Sequence, residues 1–136
     1  MATPNHSDTT TAGVRVGATA YFLPEESDAD DRRFVFGYTI VIVNDGDVPA
    51  QLLTRHWVII DALGRRDEVR GDGVVGQQPR LDPGESFRYR SFCPLRTPWG
   101  TMEGSYTFRR DDGTTFEAGV GRFYLRTEVA EESAKG

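Results

Sequence analysis

The stretch with the most chemical promise in this chain is Gly71-Asp72-Gly73-Val74-Val75-Gly76. Its G-x-G-x-x-G spacing is that of a phosphate-binding turn, where glycines let backbone N–H groups approach a pyrophosphate at a helix N-terminus. That chemistry needs a strand before the turn and a helix after it. Here Val74, Val75, Gln77, Gln78 and Pro79 follow the first glycines. Valines are poor helix formers, and Pro79 blocks an ordinary helix interior. No convincing ribose-binding acid stands about 20 residues further on. The surroundings therefore argue against a dinucleotide fold. A looser chemistry survives. Successive N–H groups of Gly71, Gly73 and Gly76 could form an anion nest without a helix, with Arg65, Arg66, Arg70 and Arg80 adding charge-assisted bonds. The competing reading is structural: the glycines let a loop turn tightly while Val74 and Val75 pack inward.

Other reactive residues are sparse. The only histidines are His6 and His56, and the only cysteine is Cys93. No C-x-x-C or H-x-x-x-H spacing offers a transition-metal cage. A nucleophilic Cys93 would need His56 as its base. A lone cysteine is more simply a small buried hydrophobe. The acidic loop Glu25, Glu26, Asp28, Asp30 and Asp31 offers hard oxygen ligands but lacks the glycine and terminal glutamate of an EF-hand. It reads as a solvated loop. Trp99, in the proline loop from Pro94 to Gly100, is an aromatic that could anchor a partner. The expectation is no catalytic residue, no resident metal and no cofactor.

These residues must be positioned by a modest scaffold. The 136 residues suit one core, with 38% hydrophobic and 27% charged residues in ordinary balance. A net charge of -5 argues against a general affinity for nucleic acid. One cysteine excludes an internal disulfide and fits a reducing compartment. The N-terminus has neither a basic nor an apolar targeting segment, and the longest apolar run, Ile40 to Val43, is far too short for a membrane span. Cytoplasm is the expected location.

Residues 1–12 are polar and read as a mobile tail. Gly13 to Phe22 alternates with period two, as a strand does. Arg33 to Asn44 is apolar on both faces and predicts a central strand. Further strands are expected over Ala50–Asp61, Arg65–Arg70 as a charged edge, Glu85–Cys93, Gly104–Arg110 and Thr114–Arg126. Asp111-Asp112-Gly113 marks a hairpin. Residues 127–136 form a polar C-terminal tail. Seven or eight short strands without a convincing helix predict an all-β antiparallel β-sandwich of the immunoglobulin or fibronectin type III kind, as one domain over 13–126. The turn Leu81-Asp82-Pro83-Gly84 followed by Phe87 and Tyr89 suggests a corner where the chain changes sheets.

Four blocks in order are more specific than the glycine spacing: Arg55-His56-Trp57-Val58-Ile59-Ile60-Asp61, Gly71 to Pro79, Leu81-Asp82-Pro83-Gly84-Glu85-Ser86-Phe87, and Ser91 to Tyr106. With Tyr38-Thr39-Ile40 and Asn44, they make residues 14–126 resemble the ApaG domain family. Trp99 departs from the family pattern, which more often has a small residue there. The resemblance implies a fibronectin type III-like sandwich. It further implies a connection to Co²⁺ resistance and Mg²⁺ efflux in bacterial members, and protein binding where the domain is appended to larger eukaryotic proteins.

The leading functional expectation is a non-enzymatic interaction module with an unidentified protein partner, using the glycine loop together with the Pro94–Gly100 loop. The alternative is a nucleotide or pyrophosphate ligand held by Gly71–Gly76 with Arg70 and Arg80. Direct divalent-metal sensing by the acidic loop is a third reading. Open edge strands also make a homodimer an expectation.

Overall fold

A computed structural model describes residues 4–128. Alternation of inward apolar and outward polar side chains shapes nearly every strand, and the strands assort into two antiparallel sheets. One sheet has the order β1-β2-β3-β7, formed by His6–Thr11, Val14–Phe22, Phe34–Asn44 and Ser86–Leu95. The other has the order β5-β4-β8-β9, formed by Arg66–Asp72, Ala50–Asp61, Trp99–Arg110 and Thr115–Arg126. The two-residue strand β6, Arg80–Leu81, pairs with the start of β4 beyond the end of β5. This is the fibronectin type III-like sandwich that the sequence predicts. The only helical turn among the described residues is a 3-10 turn, Pro24–Glu26, in the acidic loop.

Trp57 sits at the centre of the core. Its ring meets Tyr38, Tyr106 and Phe123 edge-on, at centroid distances of 5.6, 6.0 and 6.0 Å. Such tilted contacts are the favoured aromatic geometry. Ile40, Ile42, Phe36, Leu52 and Phe108 fill the rest of the interior. The chain crosses between sheets at Asp82-Pro83-Gly84, as the sequence predicts, since β6 belongs to one sheet and β7 to the other.

One buried polar residue organises that crossing. Asn44 is 2% exposed, yet every polar group it has is satisfied. Its Nδ2 donates to the carbonyls of Val48 (2.8 Å) and Leu81 (2.9 Å), and its Oδ1 accepts from the Gly46 N–H (3.0 Å). Its own N–H donates to Glu85 O, and its carbonyl accepts from Gly84 N–H. The β3–β4 turn, β6 and the turn into β7 are thus tied to one residue, the first two by its side chain and the last by its backbone.

The N-terminal reading is corrected by the structure. Residues 6–11 are not a tail but strand β1, paired with β2 from His6↔Thr19 to Thr11↔Val14. Its inward positions carry hydroxyls rather than hydrocarbon. Ser7 Oγ donates to Gly121 O at 2.7 Å, and Thr11 Oγ1 accepts from Gly119 N–H at 3.2 Å. These bonds fasten the edge of one sheet to β9 of the other. Residues 129–136, most of the expected C-terminal tail, lie outside the described residues. The strand β8 also starts earlier than predicted, at Trp99 rather than Gly104.

Replacing Asn44 tests the crossing directly. Asn44→Asp keeps the shape but turns an acceptor toward two carbonyls, and Asn44→Ala leaves three backbone groups without partners. Each is expected to lower unfolding free energy by about 3 kcal/mol, with Asp at least as damaging as Ala above pH 5. Urea unfolding followed by tryptophan fluorescence measures it, and an unchanged midpoint for both variants would refute the assigned role.

Candidate functional site

The glycine stretch closes the edge strand, and no helix follows it among the described residues. β5 ends at Asp72, and the chain leaves the ladder for a short excursion before β6 resumes pairing with β4. Within it, Val74 and Gln77 form a bridge around a two-residue turn whose central residues, Val75 (φ 44) and Gly76 (φ 80), both have positive φ. That is the pattern of a type I′ turn. Val74 enters the core at 1% exposure, as the structural reading expects, whereas Val75 stands outward at the tip.

The N–H groups that an anion nest would need are largely engaged inside the protein. Gly73 N–H donates to Leu53 O (2.8 Å), Val74 N–H to Gln77 O (2.8 Å) and Gln77 N–H to Val74 O (2.9 Å). A side chain the sequence reading did not single out holds the excursion from within. Arg55 projects from β4 across Gly71, and its Nη1 donates to the carbonyls of Asp72 (3.0 Å) and Gly73 (2.9 Å). The alternation of β4 could have flagged it, because Arg55 shares the inward face with Trp57. Nearby, the hydroxyls of Tyr89 and Tyr106 are paired at 2.5 Å in the interior, and burial pushes both well above the usual tyrosine range.

The flanking arginines mostly face carboxylates. Arg80 pairs with Asp82 (2.6 Å) and Asp111 (2.7 Å), and Arg70 with Glu68 (3.4 Å). Arg66 also reaches Glu68, at 3.2 Å. Arg65 lies at the far end of β5, beyond the Asp61–Gly64 turn, and does not flank the loop.

Trp99 is separated from the glycine stretch. Gly71 stands opposite Arg55 on β4, while Gly100 stands opposite Asp61. At about 3.3 Å per residue, these positions are roughly 20 Å apart along the strand. Gly71, Gly73, Gly76, Arg70 and Arg80 therefore share one end of the sandwich, and Trp99 belongs to the other. The expected combined surface is split. At its own end, Trp99 is 45% exposed and stacks on Tyr124 at 6.3 Å. The neighbouring turn carries Leu63, 69% exposed. Thr97 ties the two segments: its Oγ1 accepts from Ala62 N–H (3.1 Å) and donates to Trp99 O (2.8 Å).

The remaining candidates are dispersed. Cys93 is buried on the inner face of β7, and burial pushes its thiol up to about 12. His56 lies on the outer face of the other sheet, with Nε2 2.8 Å from Glu68 Oε1. The two cannot work as nucleophile and base. The bond from His56, with Arg66 close by, holds the Glu68 carboxyl below its ordinary value. In the acidic loop, Asp28 Oδ1 accepts the N–H groups of Asp30 (3.1 Å) and Asp31 (3.4 Å). Among the described residues, no three His, Cys, Asp or Glu side chains converge as a metal site.

A family model for the ApaG domain matches residues 24–110. Protein ApaG of Anaeromyxobacter dehalogenans (strain 2CP-C) is 52% identical over 119 residues, covering 88% of this chain and 94% of that protein. Protein ApaG of Methylobacterium sp. (strain 4-46) is 53% identical over 115 residues, covering 85% and 88%. A crystal structure of a Bordetella pertussis protein described as ApaA superposes with a TM-score of 0.82 at 44% identity, covering 93% of this chain and 98% of that one.

Two substitutions separate a structural glycine from a strained tip. A Cβ on Gly73 would lie 2.4 Å from Gln77 O, at a backbone φ of 64. Gly73→Ala should therefore cost at least about 2 kcal/mol. Val75→Gly relieves a β-branched residue at positive φ and should be neutral or stabilising by up to about 1 kcal/mol. Chemical denaturation of both variants checks the pair, and the reverse order would contradict the turn assignment. The buried thiol supplies an independent check. Cys93 should react with a disulfide reagent at pH 8 only at the rate of global unfolding, and rapid labelling of the native protein would show the site to be open.

Proposed function

Since this chain belongs to the ApaG domain family, we propose that it is a non-enzymatic protein-interaction module whose contact surface is the end of the sandwich carrying Leu63, Pro98 and Trp99. The observation that carries this reading is the exposure of two large apolar side chains, Leu63 and Trp99, on segments that Thr97 holds together. Exposed aromatics on a rigid frame bind partners at low conformational cost. The module acts in the cytoplasm, and its connection to Co²⁺ and Mg²⁺ homeostasis runs through the partner. No helix among the described residues is long and apolar enough to cross a membrane.

The nucleotide or pyrophosphate reading draws less support from the geometry. Arg80 already faces two carboxylates, and the N–H groups of Gly73, Val74 and Gln77 are bonded within the loop. Direct metal sensing is likewise weakened by Asp28, whose carboxylate is turned onto its own loop.

The test is affinity capture with the full chain from lysate of the source organism, followed by identification of what is retained. A specific protein should be recovered by the parent and lost with Leu63→Ala and Trp99→Ala together, while Val75→Ala at the opposite end retains it. Capture that survives the first pair but fails with Val75→Ala would move the surface to the glycine loop. Saturable binding of inorganic pyrophosphate that shifts the amides of residues 71–78 would favour the nucleotide reading instead.

A further inference from the structure

The same end of the sandwich carries a chemical signature of what it contacts. Beside the turn after β4 lies a cleft of about 320 Å³ lined by Phe34, Leu63 and Pro98 and by three arginines, Arg32, Arg65 and Arg96. A smaller adjoining cleft of about 130 Å³ shares Arg65 and Arg96. All three arginines are exposed. Arg15, Arg66, Arg70, Arg80 and Arg122 each have a carboxylate within 3.4 Å. Among the described residues, Arg32, Arg65 and Arg96 take part in no such pair.

Nearby acids do not neutralise them. Asp61 Oδ1 accepts the N–H groups of Leu63 (2.9 Å) and Arg65 (3.0 Å), which leaves it serving the turn. Asp28 is turned onto its own loop, Asp30 and Asp31 precede Arg32 in that loop without an ion pair to it, and Asp67 adds a carboxylate in the smaller cleft. Three guanidinium groups without a carboxylate partner thus stand around apolar walls in a chain of net charge -5. Arg32 is also held at φ 52, a backbone conformation that favours glycine.

A small inorganic anion would engage the arginines and leave Phe34, Leu63 and Pro98 uncovered. A peptide with acidic residues beside a large apolar side chain would use both. We infer that this cleft receives an acidic segment of a partner protein, with its carboxylates on Arg32, Arg65 and Arg96 and one large apolar side chain against Phe34, Leu63 and Pro98. The inference rests on the interaction reading above and gives the partner a chemical class.

Fluorescence anisotropy with the full chain tests it, using a labelled synthetic peptide in which glutamates flank a central Leu-Phe pair. The parent should bind this peptide at least about tenfold more tightly than a version with glutamines in place of glutamates. Arg65→Glu combined with Arg96→Glu should cause a similar loss. Arg32→Gly should weaken binding by roughly threefold with no loss of stability in urea, because glycine suits that backbone. Equal binding of the two peptides, or unaltered binding by the double variant, overturns the inference. So does displacement of the peptide by equimolar inorganic pyrophosphate, which would mark a simple anion site. A dimer in sedimentation that the double variant dissolves would assign the cleft to a second copy of this chain and overturn it too. If a protein is captured in a manner dependent on Leu63 and Trp99 while the glutamate peptide fails to bind, the interaction reading stands and the acidic class falls.

Discussion

The fold depends on placing Asn44 in the interior with every hydrogen bond made. A buried amide without partners would cost more than most side chains contribute, so the elements around it must arrive in one arrangement. The Val48 carbonyl comes from the β3–β4 turn, the Leu81 carbonyl from β6, and the Gly84 N–H and Glu85 carbonyl from the turn into β7. Two of the places where the chain changes sheets are thereby fixed to each other. Hydrophobic burial drives the sheets together without choosing their alignment. The directional bonds of Asn44 add that choice at one end, and the edge-on ring contacts of Trp57 add it in the middle.

The glycine stretch follows from the same constraint. β4 has to pair with β6 near Asn44 and with β5 further along, on one edge. The intervening residues must leave that edge and return to it. Gly73 permits the exit, the Val75–Gly76 turn reverses the chain, and Val74 fills the space behind. Arg55 then satisfies two carbonyls that the excursion frees from the ladder. A spacing that resembles a nucleotide motif is produced here by an edge-strand detour, and its N–H groups point largely to carbonyls rather than to solvent.

Much of this was legible in the sequence, for physical reasons that also explain what was not. Strands β2, β3, β4, β7 and β9 carry apolar residues at period two or apolar residues throughout, and one buried face leaves that trace. The Asp82-Pro83-Gly84 crossing is local chemistry and was equally readable. β1 was not, because its inward face is Ser7, Thr9 and Thr11, whose hydroxyls meet the polar backbone of β9. Polar alternation without hydrocarbon looks the same as a solvated tail. The distance between Trp99 and the glycine stretch was also hidden. Both flank β4 in space, and only the register, Gly71 against Arg55 and Gly100 against Asp61, places them at opposite ends. Nor does arginine spacing reveal which guanidinium meets a carboxylate. That is decided by cross-strand neighbours such as Asp111, which lies 31 residues from Arg80 in sequence.

The distribution of satisfied polar groups divides the molecule into two unlike ends. At the Asn44 end, the amide, the N–H groups of Gly73, Val74 and Gln77, Arg55 and Arg80 have internal partners. A ligand arriving there must break bonds already made, and the gain is the difference between two similar sets. At the Thr97 end, a single buried hydroxyl ties the segments, and Arg32, Arg65, Arg96, Leu63 and Trp99 face solvent. A partner there displaces only water from apolar surface and gains charge-assisted bonds without undoing internal ones.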